Sequence, residues 1–158
     1  MRIFIGSDHA GFELKQKLIL FMESLGHEVV DKGAFALDEH DDYPDFIIPV
    51  AEEVAKDPSS RGIILGGSGQ GEAIAANRIK GVRAAVFYGL PAAPSTAQVG
   101  GPLDIVELSR EHNDANILSL GARFVSEGEA ETVVQLWLET EFSGDERHVR
   151  RIKKVDSR

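Results

Sequence analysis

The sequence predicts an α/β fold: a single Rossmann-like domain in which a five-stranded parallel sheet lies between two layers of helices, α/β/α. Short apolar segments typical of buried strands alternate along the chain with segments whose apolar residues have helical spacing. The 158 residues are the length of one domain, and the 42% that are hydrophobic suffice for one core. The 16 glycines and the aromatic content of 7% suit the tight strand-to-helix turns of such folds.

In the first half of the chain, glycine, proline and the apolar spacing set the expected boundaries. Gly26 follows a helical pattern and is expected to end it. Pro44 suits a first helical turn, whereas Pro49 lies within the same pattern and weakens the prediction for that turn. The expected elements are a strand over 2–6, a helix over 11–25, a strand over 27–31, a helix over 44–56 and a strand over 61–66.

The second half continues the alternation with one interruption. Residues 89–102, GLPAAPSTAQVGGP, are rich in Gly, Pro and Ala and long for a strand-to-helix connection, which indicates a lid or an insertion. The tail carries six Lys or Arg from Arg147 onward, against one Asp. The expected elements are a helix over 72–78, a strand over 82–88, a helix over 103–111, a strand over 116–120, a helix over 127–141 and a basic helical tail over 145–158, all within one domain, 1–158.

Composition excludes several classes of function. With no cysteine, the chain has no disulfide, thiolate metal site or cysteine nucleophile. The net charge of −9 makes a nucleic-acid partner unlikely for the surface as a whole, since such proteins show a basic footprint. No apolar run is long enough to span a membrane, and the chain starts on a strand-like segment without the pattern of a leader. A cytoplasmic protein is therefore expected.

Ligands of such folds bind at the carboxyl ends of the strands, so the residues that follow each strand are the candidates. Asp8 and His9 follow the first strand, where Asp8 can be a helix cap or a catalytic group. Glu72 begins the helix after the third strand and can be a first-turn acid or a general base. His112 ends a helix, where it can simply be a partner of the helix dipole.

Residues 66–72, GGSGQGE, form a glycine-rich turn between the third strand and its helix. Such a turn lets the backbone approach an anion closely and is typical of an anion or oxyanion site. It lacks the Lys-Ser/Thr ending of a Walker A loop and the spacing of the dinucleotide fingerprint. A nucleotide-binding regulatory domain is therefore disfavoured, although the arginines of the tail could still hold an anionic ligand.

Taken together, the motifs resemble the ribose-5-phosphate isomerase B and galactose-6-phosphate isomerase subunit family. The similarity covers nearly the whole chain, in order. The resemblance implies a metal-free and cofactor-free aldose–ketose isomerase of phosphorylated sugars, acting in pentose phosphate metabolism as a homodimer or dimer of dimers with shared active sites. The matching segments are GSDHAGFELK (6–15), DYP (42–44), GGSGQGEAIAANR (66–78), SREHNDANILSLGAR (109–123) and ERHVRRI (146–152).

The resemblance also implies roles for individual residues. Glu72 matches the base of the carboxylate branch of the family, because the other branch uses a cysteine at the position of Gly66. His112 matches the residue that opens the sugar ring, with Asp8 across the ring oxygens. The remaining implied contacts are the enediolate loop Gly67, Ser68, Gly69, Gln70 and Gly71, the sugar contact Asn113, the pocket wall Tyr43, and the phosphate contacts His9, Arg123, Arg147 and Arg151.

Two alternatives to ribose 5-phosphate isomerisation stay open at this point. One is an isomerase of a six-carbon sugar phosphate, such as allose or galactose 6-phosphate, because the segment 89–102 is longer than the family's usual connection. The other is a non-catalytic Rossmann-like subunit, which the complete set of polar site residues disfavours.

Overall fold

The computed structural model describes residues 1–89 and 104–157, and it confirms the predicted α/β class with a five-stranded sheet. The strands are β1 (Arg2–Ser7), β2 (Glu28–Asp31), β3 (Arg61–Gly66), β4 (Ala84–Phe87) and β5 (Ile117–Gly121). The helices are α1 (Phe12–Ser24), α2 (Pro44–Lys56), α3 (Gln70–Ala76), α4 (Asp104–Glu111), α5 (Glu127–Glu139) and α6 (Glu146–Asp156), with a short 3₁₀ helix, His9–Gly11, before α1. The predicted loop 89–102 lies, beyond Gly89, outside the described residues.

The sheet has the strand order β2-β1-β3-β5-β4, and every neighbouring pair is parallel. Helices α1, α4 and α5 pack on one face, and α2 and α3 on the other. The apolar side chains of both sheet faces are buried under these layers, as the near-continuous hydrophobic strands require. None of the described helices is long and apolar enough to cross a membrane.

This topology creates a crevice at the carboxyl ends of β1 and β3. The chain leaves β1 for α1 on one face and leaves the neighbouring β3 for α3 on the opposite face. The loops that follow these two strands therefore diverge, which is the arrangement that forms ligand sites in open α/β sheets. Asp8 follows β1 and Glu72 follows β3, so the fold brings these two candidates to the same crevice.

One predicted helix on the face of α2 and α3 is confirmed, and the other begins earlier than expected. Helix α2 runs unbroken through Pro49, which forgoes one amide donor while the buried face of Ile47, Val50 and Val54 holds the helix on the sheet. Helix α3 begins at Gln70 rather than Glu72, because Gly69 caps it with a φ of 77°. Glu72 therefore lies within the first turn and points to the buried side.

Candidate active site

Asp8 is a helix cap. Its Oδ1 accepts hydrogen bonds from the backbone N–H groups of Ala10 (3.0 Å) and Gly11 (3.3 Å). The residue is buried at 7% exposure, directly after β1. The capping role does not exclude a catalytic one, since it fixes a carboxylate at the mouth of the crevice beside Glu72.

Glu72 is a buried carboxyl group without a full set of partners. The residue is 5% exposed, and its Oε2 atom has no hydrogen-bond partner among the described residues. Burial raises the pKa of the Glu72 carboxyl, and the nearby charge of Asp8 raises it further, against the lowering effect of backbone N–H groups. A carboxylate that is poorly solvated and unpaired is suited to accept a proton from carbon.

Gly66 makes room for this carboxylate. A Cβ atom at position 66 would overlap the Glu72 carboxyl group. A side chain at position 66 and a carboxylate from position 72 therefore compete for one space. This gives a physical reason for the alternative implied by the family resemblance, a base at one position or at the other.

The variant Gly66→Ala is expected to lower kcat by about a hundredfold, because the added methyl group displaces the Glu72 carboxylate by an ångström or more. The measurement is isomerase kinetics on ribose 5-phosphate together with a thermal unfolding curve. Gly128→Ala is the matched control, since a Cβ atom there meets nothing within 4 Å. Activity near the wild-type level in Gly66→Ala would show that catalysis does not depend on where the Glu72 carboxylate lies in this structure.

The glycine loop 67–71 is held in place from several sides. The Ser119 hydroxyl donates to the carbonyl of Gly69 (2.7 Å), and the Ser68 hydroxyl accepts from the amide of Gln70 (3.3 Å). A Cβ atom on Gly67 would lie 3.3 Å from the Arg123 guanidinium, and one on Gly71 would lie 3.0 Å from the Tyr43 ring. Tyr43 and Arg123 thus both lie against the glycine loop.

His9, directly after Asp8, is paired with Asp41. The two side chains meet at 2.7 Å between Nδ1 and Oδ1, and this bond raises the pKa of the His9 imidazole. Asp8, His9 and Asp41 offer ligand atoms within 4.8 Å of one another and could hold a metal ion. The positive charge of Arg123 also acts on His9 and opposes a cation at this point.

The remaining candidates form a second group around α4 and α6. The His112 ring stacks on the His148 ring, with centroids 4.2 Å apart and planes at 12°. His148 is buried at 3% exposure, and its Nε2 lies 3.1 Å from Nε of Arg147, which donates to it. Burial lowers the pKa of His148, and the His112 and Arg147 charges lower it further. His148 is therefore neutral near pH 7, as its acceptor role requires.

Arg83 connects α6 to the loop that contains Asn113. The Arg83 guanidinium contacts Asp114 (2.9 Å) and Asp156 (3.1 Å), and its Nε donates to the carbonyl of Asn113 (3.0 Å). Arg151, on α6, lines a groove with Asn113 and Arg83. Arg147 and Arg151 are exposed, so their side chains are available to a ligand from outside this chain.

The two groups lie at opposite ends of the strands. His112 stands where α4 leads into the amino end of β5, whereas Glu72 lies at the carboxyl end of β3, the neighbour of β5. The five residues of β5 separate these two ends by roughly 16 Å. No hydrogen bond or ion pair within residues 1–89 and 104–157 joins the groups, so a single chain does not assemble the predicted set of site residues in one place.

Three residues of these groups were not among the predicted site residues. His148 lies within the basic run RHVRR, which alone does not mark it as a site residue. Its position next to Arg147, a predicted phosphate contact, is the sequence feature that could have indicated it. Asp41 stands in an acidic loop, and only the preference of His for an acidic partner pointed to it. Gly66 looked like one glycine among several, and its close approach to Glu72 depends on the folded loop.

Known proteins are similar to this chain over nearly its whole length. Residues 3–155 match the Ribose/Galactose Isomerase family. Ribose-5-phosphate isomerase B of Mycolicibacterium paratuberculosis is 45% identical over 152 residues, which cover 96% of this chain and 87% of the relative.

Solved structures are similar as well. A ribose-5-phosphate isomerase B from Clostridium thermocellum is 42% identical, with a TM-score of 0.87, over 99% of this chain and 96% of that one. Ribose-5-phosphate isomerase B from Mycoplasma genitalium, solved with bound ribulose 5-phosphate, is 37% identical, with a TM-score of 0.87, over 99% of this chain and 94% of that one.

Proposed function

This chain belongs to the ribose/galactose isomerase family, and we propose that it interconverts ribose 5-phosphate and ribulose 5-phosphate through an enediolate. It is a sugar-phosphate isomerase. The observation that carries the proposed chemistry is the buried Glu72 carboxylate with an unpartnered oxygen beside a glycine loop. The proposed reaction uses neither a metal nor an organic cofactor.

In the proposed mechanism, Glu72 removes the proton from C2 of the open-chain aldose. The electron pair of the broken C–H bond forms the C1–C2 double bond, and the carbonyl oxygen on C1 takes up the negative charge. Backbone N–H groups of the loop 67–71 and the Ser68 hydroxyl are the proposed donors to the enediolate oxygens. The C2 hydroxyl then passes its proton to the C1 oxygen. Return of the proton from Glu72 to C1, with the carbonyl re-formed at C2, gives the ketose.

The substrate's other end is proposed to meet cationic side chains. His9 and Arg123 stand beside the glycine loop and suit a phosphate group. Gln70 and Tyr43 line the sugar between these ends. A phosphorylated sugar carries about two negative charges and does not cross a lipid bilayer, so we place the reaction in the cytoplasm.

We further propose that two copies of the chain share each site. One group of proposed site residues lies at the amino ends of the strands, opposite Glu72, and cannot reach Glu72 within one chain. These residues are His112, Asn113, Arg147 and Arg151. A second copy that supplies this group would place His112, the proposed ring-opening residue, near the substrate. The histidine pKa range suits transfer of a proton to and from the ring oxygen, with Asp8 on the other side of the ring oxygens.

The direct test is conversion of ribose 5-phosphate to ribulose 5-phosphate by the purified chain without added metal. Turnover that EDTA leaves unchanged would support the proposal. Allose 6-phosphate and galactose 6-phosphate are assayed in parallel, and a higher kcat/KM on either would replace the pentose with a six-carbon substrate. A folded protein that turns over none of the three would be a non-catalytic subunit.

Mixing two inactive variants tests the shared site. Glu72→Gln and His112→Gln, unfolded together and refolded as an equal mixture, are expected to recover about a quarter of wild-type activity, because half of the dimers are mixed and each mixed dimer has one intact site. The control mixes Glu72→Gln with Gly66→Ala, whose lesions fall in the same group, and should recover nothing. No recovery in the first mixture would mean that the sites are not shared.

A further inference from the structure

Asp41 is a buried acid for which the proposed mechanism has no use. It lies in the loop before α2, and its side chain is 7% exposed. Its Oδ2 atom is buried without a hydrogen-bond partner among the described residues. A carboxylate in such a place costs free energy unless its other contacts compensate, so its remaining oxygen indicates what it does.

That oxygen, Oδ1, accepts two hydrogen bonds from one residue. The backbone N–H of His9 donates at 3.1 Å and the His9 ring nitrogen Nδ1 lies at 2.7 Å. An ionised carboxylate only accepts, so Nδ1 carries a proton. The two contacts fix the rotation of the imidazole, and Nε2, on the other side of the ring, makes no hydrogen bond to any residue within 1–89 and 104–157.

Three charged groups act on the His9 ring, each from a different element. Asp41 comes from the loop before α2, Asp8 from the end of β1, and Arg123 from the turn after β5. The hydrogen bond from Asp41 is the largest influence and raises the pKa of His9; Asp8 raises it further, while burial and Arg123 lower it. The imidazolium form therefore persists to a higher pH than for a free histidine.

We propose that Asp41 is a positioning residue, which holds His9 protonated and turned so that its Nε2–H donates to the substrate's phosphate. The inference rests on the proposed function, in which His9 meets the phosphate end. A phosphate monoester is a dianion above about pH 6, where a free histidine begins to lose its proton. By delaying that loss, Asp41 keeps the cation and the dianion present together at neutral and mildly basic pH.

The test is the pH dependence of KM for ribose 5-phosphate in Asp41→Asn. Asparagine keeps an oxygen for the His9 N–H groups but removes the negative charge. KM is expected to be about tenfold above the wild-type value at pH 8, with a smaller difference at pH 6, because loss of the Asp41 charge lowers the pKa of His9 and deprotonates the ring earlier. We expect kcat to change by less than about twofold, since the reacting carbons are handled by Glu72.

Two further variants separate this role from a general loss of charge or structure. Glu39→Gln removes one negative charge from an exposed side chain of the same loop and should leave KM unchanged at every pH. In a His9→Gln background, Asp41→Asn should raise KM no further, because Asp41 acts through His9. An equal rise in KM with and without His9, or a parallel KM profile at all pH values, would overturn the proposal.

A measurement without turnover distinguishes failure of this inference from failure of the proposed function. The His9 ring is titrated by NMR in the free protein, and inorganic phosphate is the binding probe at pH 8. Asp41→Asn should lower the His9 pKa and weaken phosphate binding about tenfold. If the wild-type chain binds phosphate in this way but does not isomerise ribose 5-phosphate, the function is wrong and the positioning role stands. An unchanged His9 pKa in Asp41→Asn contradicts the positioning role, whatever the activity.

Discussion

Glu72→Gln is expected to lower kcat for ribose 5-phosphate by about a thousandfold or more, because glutamine cannot accept the proton from C2. Burial raises the pKa of Glu72, so wild-type kcat should rise with pH through that raised pKa and then level off. The variant should lose this rise along with the rate. Fixed-time assays of ribulose 5-phosphate formation from pH 4.5 to pH 8 measure both effects.

The variant is expected to stay folded. A carboxyl whose pKa is raised in the folded state binds more protons there than in the unfolded chain, so above its unfolded value the fold loses stability as pH rises. Removing that charge relieves this cost at neutral pH. Glu52→Gln, at an exposed position of α2, is the matched control and should keep full activity. If Glu72→Gln kept nearly full activity, the base would have to be sought elsewhere, with Asp8 the next candidate.

Lys15→Met is expected to lower the free energy of unfolding by about 3–5 kcal/mol, because it leaves the partly buried Asp31 carboxylate and the buried Ala34 carbonyl without a cation. Lys15 is fully buried in α1, and its ammonium group donates to both oxygens of Asp31 (2.7 and 2.6 Å) and to the carbonyl of Ala34 (2.8 Å). Urea unfolding followed by circular dichroism measures the change.

The same substitution should also weaken the site. The Ser7 amide donates to the carbonyl of Gly33 (2.8 Å), and the Ala34 amide donates to the carbonyl of Ser7 (2.7 Å). Ser7 immediately precedes Asp8, so a shift of this segment would reach the site. Lys17→Met is the control, since its pair with Glu127 is half exposed and should contribute little to stability. Equal losses of stability in the two variants would show that the buried lysine has no special role.

Several elements could be read from the sequence because their signals are local. Helix α2 begins at Pro44, where proline needs no amide partner, and β3 coincides with the apolar run 61–66. The start of α3 could not be located in the same way. Its position depends on the left-handed conformation of Gly69, and four neighbouring glycines make the sequence equally permissive at each of them.

The candidate site divides along the same line. Asp8, Glu72 and Arg123 could be predicted to meet, because each follows a parallel strand and the carboxyl ends of such strands share an edge. His9 and Asp41 are 32 residues apart, and nothing local in the sequence pairs them. His112 and His148 are 36 residues apart and likewise meet only in the folded chain, where α6 also pairs with Arg83 through Asp156.

By itself, the sequence determined the fold class, the order of the elements and the residue types available for isomerisation, because periodicity, turn chemistry and charge are properties of neighbouring residues. Only the tertiary structure decided which of those residues share a place. The parallel pairing of β3 with β5 puts Glu72 and His112 at opposite ends of these strands, and the absence of a side chain at Gly66 leaves room for the base. Both follow from contacts between distant segments, which packing selects and which no local pattern records.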